Sequence, residues 1–174
     1  MKWNTKTISL LAVLSALGIV LRYTVAIPVI PNIVELTPSF LIPEFAGMLL
    51  GLEGGIIVGA FVGLSGALRG GEFPLIPLLG NIALGISTGI VFFFMKEDNQ
   101  IRNILTIISA GVIGGFIPTF TITLAFLPWT ADAVAAAAIS AFIDFLQAAL
   151  WAAVGLPLRK LAIEYLQLES EIVQ

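Results

Sequence analysis

Two carboxylates stand inside long apolar runs of this chain, Glu44 between Pro43 and Phe45 and Asp144 between Ile143 and Phe145. A carboxylate at bilayer depth costs about 2.5–3.5 kcal/mol on insertion scales, so it faces a protein interior or a watery cavity and marks function. A pair of such groups can hold a cation, accept hydrogen bonds from a ligand, or relay protons. A few ångströms apart they could also activate water, as an aspartyl hydrolase does, but neither flanking sequence looks catalytic. The chain contains no cysteine and no histidine. Thiol chemistry, disulfides, imidazole bases and most transition-metal sites are thereby removed. The expectation is a binding or transport protein, not an enzyme, with no cofactor and no metal of its own.

The residues around Asp144 sharpen this. Ser140, Asp144, Gln147 and Trp151 fall at i, i+4, i+7 and i+11, one stripe of an α-helix whose other positions are apolar or glycine. Lipid offers no hydrogen bonds, so the stripe must face other helices or a cavity. Hydrogen-bonded glue between helices is the plain explanation, and a polar pocket is the functional one. Asn81, Gly85 and Thr88 repeat the pattern at i, i+4 and i+7, with Asn81 about 9 Å below the outer end of its span. Thr119 and Thr123, at i and i+4 beside Pro118, supply a third set. A pocket opening outward between these three spans satisfies all of them. Two outer loops add charges of both signs, Asn32 with Glu35 and Arg69 with Glu72, although ordinary solvation explains each alone. Trp129 in the third outer loop suits an interfacial anchor as well as a ligand platform.

The elements that must hold these residues follow from composition. The chain has 174 residues, 59% of them hydrophobic and only 11% charged, with a net charge of −3. That is too few polar groups to cover a soluble domain, and the charge disfavours nucleic acid as a partner. The pattern predicts an all-α membrane protein over 1–174, one compact bundle of six transmembrane helices in the lipid bilayer. The expected spans are 7–23, 37–52, 55–68, 75–94, 104–127 and 133–156, the last ending at Pro157. The first is taken as a retained helix closed by Arg22, not as a signal peptide. A Pro-rich link joins spans 1 and 2, and a kink is expected at Pro118. Leu158, Leu161, Tyr165, Leu168 and Ile172, beyond Pro157, fall on one face, which fits a short amphipathic helix over about 158–173 on the membrane or a partner, and equally span 6 continuing as a solvated tail helix. Six spans put both termini on one side, together with Lys2, Lys6, Lys96, Arg102, Arg159 and Lys160, against Arg22 and Arg69 on the other. That bias makes the termini cytoplasmic and the protein a multi-pass component of the cell membrane.

Span 1 carries Ala12-x-x-x-Ala16 with Ser15 between, a small-residue face suited to close helix approach. Taken with the Pro-rich first outer loop, Ile27-Pro28-Val29-Ile30-Pro31, and the turn Leu49-Leu50-Gly51-Leu52-Glu53-Gly54-Gly55, it resembles the substrate-binding S components of energy-coupling factor (ECF) vitamin transporters. The resemblance spans nearly the whole chain on short, degenerate motifs, and Glu53 departs from the Gly-Pro common in that turn. It implies a six-helix fold and a docking face at Ala12, Ser15 and Ala16. The partner implied there is a transmembrane coupling protein driven by two cytoplasmic ATPases. It also implies an outward pocket for a vitamin-like small molecule, built from the first loop and helices 4 to 6. The absence of histidine argues against the nickel and cobalt branch.

With Glu44 and Asp144 both acidic and no basic partner at matching depth, a cationic or neutral ligand is favoured over an anion. A small proton- or cation-coupled carrier using Glu44 and Asp144, or a structural membrane scaffold with the polar stripe as glue, are the competing readings.

Overall fold

Asn4 opens the first helix, its side-chain oxygen accepting from the Thr7 amide at 2.8 Å and satisfying one of the free donors of the first turn. The computed structural model describes residues 3–25, 27–30, 34–69 and 74–166. Helix α1 runs over Thr5–Thr24 and buries Thr7, Leu11, Leu14, Ser15, Gly18 and Arg22 at helical spacing. Leu11 and Leu14 join Ile42, Ala46, Leu49, Leu50, Val58 and Val62 in the main apolar core. Ala12, Val13, Ala16, Leu17 and Val20, on the other side of α1, are exposed.

The Pro-rich link is more ordered than its prolines suggest. Strand β1 (Ile27–Ile30) pairs antiparallel with β2 (Val34–Leu36), Ile27 opposite Leu36 and Pro28 opposite Glu35. Proline is tolerated in such a ribbon because each strand has a free edge, and a two-stranded ribbon needs support. β2 rests against the last helix. A short 3-10 turn, Pro38–Phe40, capped by the Thr37 side chain, then leads into α2, Leu41–Arg69.

α2 is broken at Gly51, whose φ of 75° lies in the left-handed region that glycine enters freely. Both expected short spans fall within this stretch. Gly47 and Gly55 lie on either side of the break, yet both pack on the backbone of Gly85 in α3 (Leu75–Phe94). A β-carbon on Gly55 would sit 2.4 Å from the Gly85 carbonyl oxygen, so only glycine allows this approach.

The next span starts earlier than expected, at Gln100, because Asn99 caps it by accepting from the Arg102 amide. α4 (Gln100–Ser109) passes through a wide π-helical stretch, Ala110–Phe116, into α5 (Ile117–Phe126). In place of a simple kink at Pro118, the helix widens just before it. The ring of Pro118 crowds the carbonyl four residues back, and a wider turn relieves that clash. α6 runs over Ala131–Leu166, straight through Pro157, so of the two expected forms of the tail the structure takes the continuous one. Pro157 is exposed and removes only one backbone bond, while the residues after it still favour helix. Leu158, Leu161 and Tyr165 are exposed, and Ala162 and Ile163 pack on the main core; Leu168 and Ile172 lie outside the described residues.

Five helical stretches, Thr5–Thr24, Pro38–Arg69, Leu75–Phe94, Gln100–Phe126 and Ala131–Tyr165, are long and apolar enough to cross a membrane. At one end of the bundle, the guanidinium carbons of Arg102 and Arg159 lie 4.4 and 4.5 Å from the Phe92 ring centre. Arg102 also pairs with Asp98 at 2.5 Å, and Arg159 donates from Nε to the Met48 carbonyl at 2.7 Å, closing the last turn before Gly51.

Candidate functional site

The stripe on α6 turns inward. Asp144 is 7% exposed and Gln147 2%. The reason is the approach of the α4–α5 stretch: a β-carbon on Gly115 would lie 2.4 Å from the Asp144 carbonyl oxygen, so the two backbones all but touch. That contact sets Thr119, one turn further along, opposite the Asp144 side chain.

The Thr119 hydroxyl donates to Asp144 Oδ2 at 2.5 Å, and Gln147 Nε2 donates to Asp144 Oδ1 at 2.7 Å. Gln147 Oε1 in turn accepts from the Thr37 amide at 3.3 Å, and Thr37 Oγ1 bonds to Ser39 Oγ at 3.1 Å. A hydrogen-bonded line therefore crosses from α5 through α6 to the turn that starts α2. Each oxygen of the Asp144 carboxyl group therefore accepts from a neutral donor.

The remaining candidates divide. Ser140, fully buried, donates back to the Ala136 carbonyl of its own helix. Thr123, one turn outward of Thr119, is buried with its hydroxyl unpartnered. Asn81 donates to Pro77 at 2.7 Å, and its Oδ1 is buried without a partner. Glu44 is completely buried, and neither carboxylate oxygen has a hydrogen-bond partner. Its main-chain carbonyl accepts from Thr88 Oγ1 at 2.9 Å, which anchors α2 to α3. Arg69, at the end of α2, donates to the Arg22 carbonyl at 3.2 Å and so reaches toward α1. Trp129 is 80% exposed in the turn before α6, as an interfacial anchor would be. Glu35 sits in β2, and Asn32 and Glu72 lie outside the described residues. Ala12 and Ala16 share the exposed face of α1, while Ser15 is turned into the core.

Thr37 and Ser39 were not anticipated in the site. Their signal is the run Thr37-Pro38-Ser39, a capping residue with proline at the first helical position. Capping fixes the Thr37 backbone, and that backbone supplies the amide that meets Gln147. The groups of this seam can orient a small polar molecule.

Residues 6–159 match the family model described as the ECF transporter, substrate-specific component. No curated protein matches the sequence. Among solved structures, the S component for biotin from an ECF-type ABC transporter has a similar fold, with a TM-score of 0.60 and 21% identity. The likeness covers 91% of this chain and 95% of that one.

Proposed function

The chain belongs to the ECF transporter substrate-specific component family, and from that membership we propose that it captures a vitamin or related small molecule at the outer face of the cell membrane. Family members are substrate-binding transporter subunits rather than enzymes. Delivery would run through a transmembrane coupling protein and two cytoplasmic ATPases. The observation that carries the proposal for this chain is a division of surfaces: Asp144 and Gln147 are turned inward between helices, and Ala12 and Ala16 are turned outward on α1. A scaffold needs no small-residue face left open, and a self-sufficient carrier has no use for a docking face.

The favoured orientation has six spans and cytoplasmic termini. Gly47 and Gly55 are eight residues apart, about 12 Å along a straight helix, yet both rest on Gly85. A chain that doubles back at Gly51 accounts for this and makes α2 a pair of short antiparallel spans. Arg102 and Arg159 then gather at the inner end and Arg22 with Arg69 at the outer, in keeping with the excess of positive charge on the inside. With no native cysteine, Asp98→Cys and Trp129→Cys are clean reporters. Only the latter should react with an impermeant maleimide added outside intact cells, and the reverse pattern would invert the orientation.

The ligand favoured is cationic or neutral, since Glu44 and Asp144 are both acidic and both buried within the bundle. The decisive experiment is native mass spectrometry of the purified chain for a bound small molecule, beside co-purification with a coupling protein and its ATPases. A chain that carries no ligand, joins no such complex and moves solute alone in liposomes along an ion gradient would overturn the proposal in favour of the carrier.

A further inference from the structure

The two deep carboxylates are in opposite conditions. Both oxygens of Asp144 are engaged by Thr119 and Gln147, whereas Glu44 is wholly buried with neither oxygen bonded. A second orphan is the Trp151 indole nitrogen, which is buried and also lacks a partner. Their placement follows from neighbours whose contacts are known. A β-carbon on Gly155 of α6 would lie 3.3 Å from both Leu41 Cδ1 and Met48 Cε, so Leu41 and Met48 face α6. Glu44 lies three residues after the one and four before the other, on the same face. Trp151 lies four residues before Gly155 and four after Gln147, the residue bonded to Thr37, which puts it on the α6 face that meets α2. The Glu44 side chain and the indole therefore share the α2–α6 seam, the indole about 6 Å below Gln147.

Buried polar groups with nothing to meet them are rare in folded proteins, because each forfeits its hydration without replacement. Resting on the capture reading above, we propose that Glu44 and Trp151 form the floor of the ligand site and select an amino-substituted nitrogen heterocycle. The exocyclic N–H of such a ring donates to a Glu44 carboxyl oxygen, and an adjacent ring nitrogen accepts from the Trp151 indole N–H, which can only donate. Asp144 and Gln147, already bonded to each other and to their neighbours, form the wall above and hold α5 and α6 in register. Ordered water could satisfy the same two atoms, and the test separates the two cases.

The full chain is reconstituted in nanodiscs as wild type, Glu44→Gln and Trp151→Phe, and titrated calorimetrically. The probes are thiamine, adenine and pterin, with oxythiamine and hypoxanthine as analogues in which oxygen replaces the amine, and biotin and pantothenate as unrelated ligands. The expected result is that at least one amino-substituted ring binds the wild type. Glu44→Gln should then weaken it by roughly ten- to hundredfold and Trp151→Phe by about fivefold, with the oxo analogue correspondingly weak. Native mass spectrometry provides a second readout, in which a co-purified molecule bearing such an amine should be lost from Glu44→Gln. If Glu44→Gln does not fold, the Trp151→Phe comparison decides alone. A ligand held equally by wild type and both variants overturns the inference and leaves the capture reading standing, as does binding confined to biotin or pantothenate. No bound molecule of any kind, with no coupling complex, overturns the capture reading itself.

Discussion

Helices α1 and α6 both carry a stripe of unusual residues at helical spacing, and they point it in opposite directions. The α6 stripe is polar and faces inward, where Thr119 and Thr37 meet it; the α1 stripe is small and apolar, and Ala12 and Ala16 lie open. Each orientation follows from what lipid can and cannot satisfy. A carboxylate must find donors inside the bundle, whereas two alanines lose nothing against acyl chains and offer another helix a close approach. On the function proposed above, the chain separates holding a ligand from joining a complex by turning two helices, with the core of α1 and α2 between them.

The strongest way to break this comparison is to remove what both surfaces share. Gly55→Leu forces a side chain into the Gly85 backbone and should lower the melting temperature by roughly 6–12 °C, with ligand binding and complex formation lost together. If the variant melts like wild type, α2 and α3 are not as tightly joined as described. Next, Ala16→Trp should abolish co-purification with the coupling protein and uptake into cells, while melting temperature and ligand affinity stay within error. Loss of ligand binding in this variant would refute the separation. Asp144→Ala should do the reverse. It strands the Thr119 hydroxyl and the Gln147 amide and should weaken ligand binding by about tenfold or more, with the complex still recovered on a pull-down. The smallest effect belongs to Thr119→Val, which deletes one donor to Asp144. It should cost about 1 kcal/mol, near fivefold in affinity by calorimetry. An unchanged affinity there would mean that Gln147 alone sets the carboxylate.

Much of this was legible from sequence, for physical reasons that differ by element. α3 ran from Leu75 to Phe94 as expected, because Pro74 and the charged stretch from Lys96 bracket an unbroken apolar run. The inward turn of Asp144 and Gln147 was legible because no other environment accepts them, and Thr119 because its depth matched. Prolines were less decisive. Pro157 left open whether the last span stops or continues, and one lost bond on an exposed face does not end a 36-residue helix. Pro28 marked a non-helical link, and the pairing of that link into a strand carried no signal of its own. The union of Thr37 with Gln147, 110 positions apart, was not legible at all. It depends on a backbone amide, which carries no signature of residue type. Nor was the pairing of Arg102 and Arg159 on Phe92, since all three look like separate span ends.

The broad coil at Ala110–Phe116 has an evolutionary corollary. Such a stretch holds roughly one residue more than a regular helix of equal height, a phase lag near 100°, and α5 inherits that lag. Thr119 meets Asp144 only at this phase. Losing a single codon within the coil, with Pro118 replaced by an ordinary helix former, would let the helix close to regular winding with Thr119 still in place. Losing the codon just after Pro118 would remove the threonine and bring Phe120 round in its stead. Length variation among relatives should therefore be tolerated on one side of that proline and purged on the other.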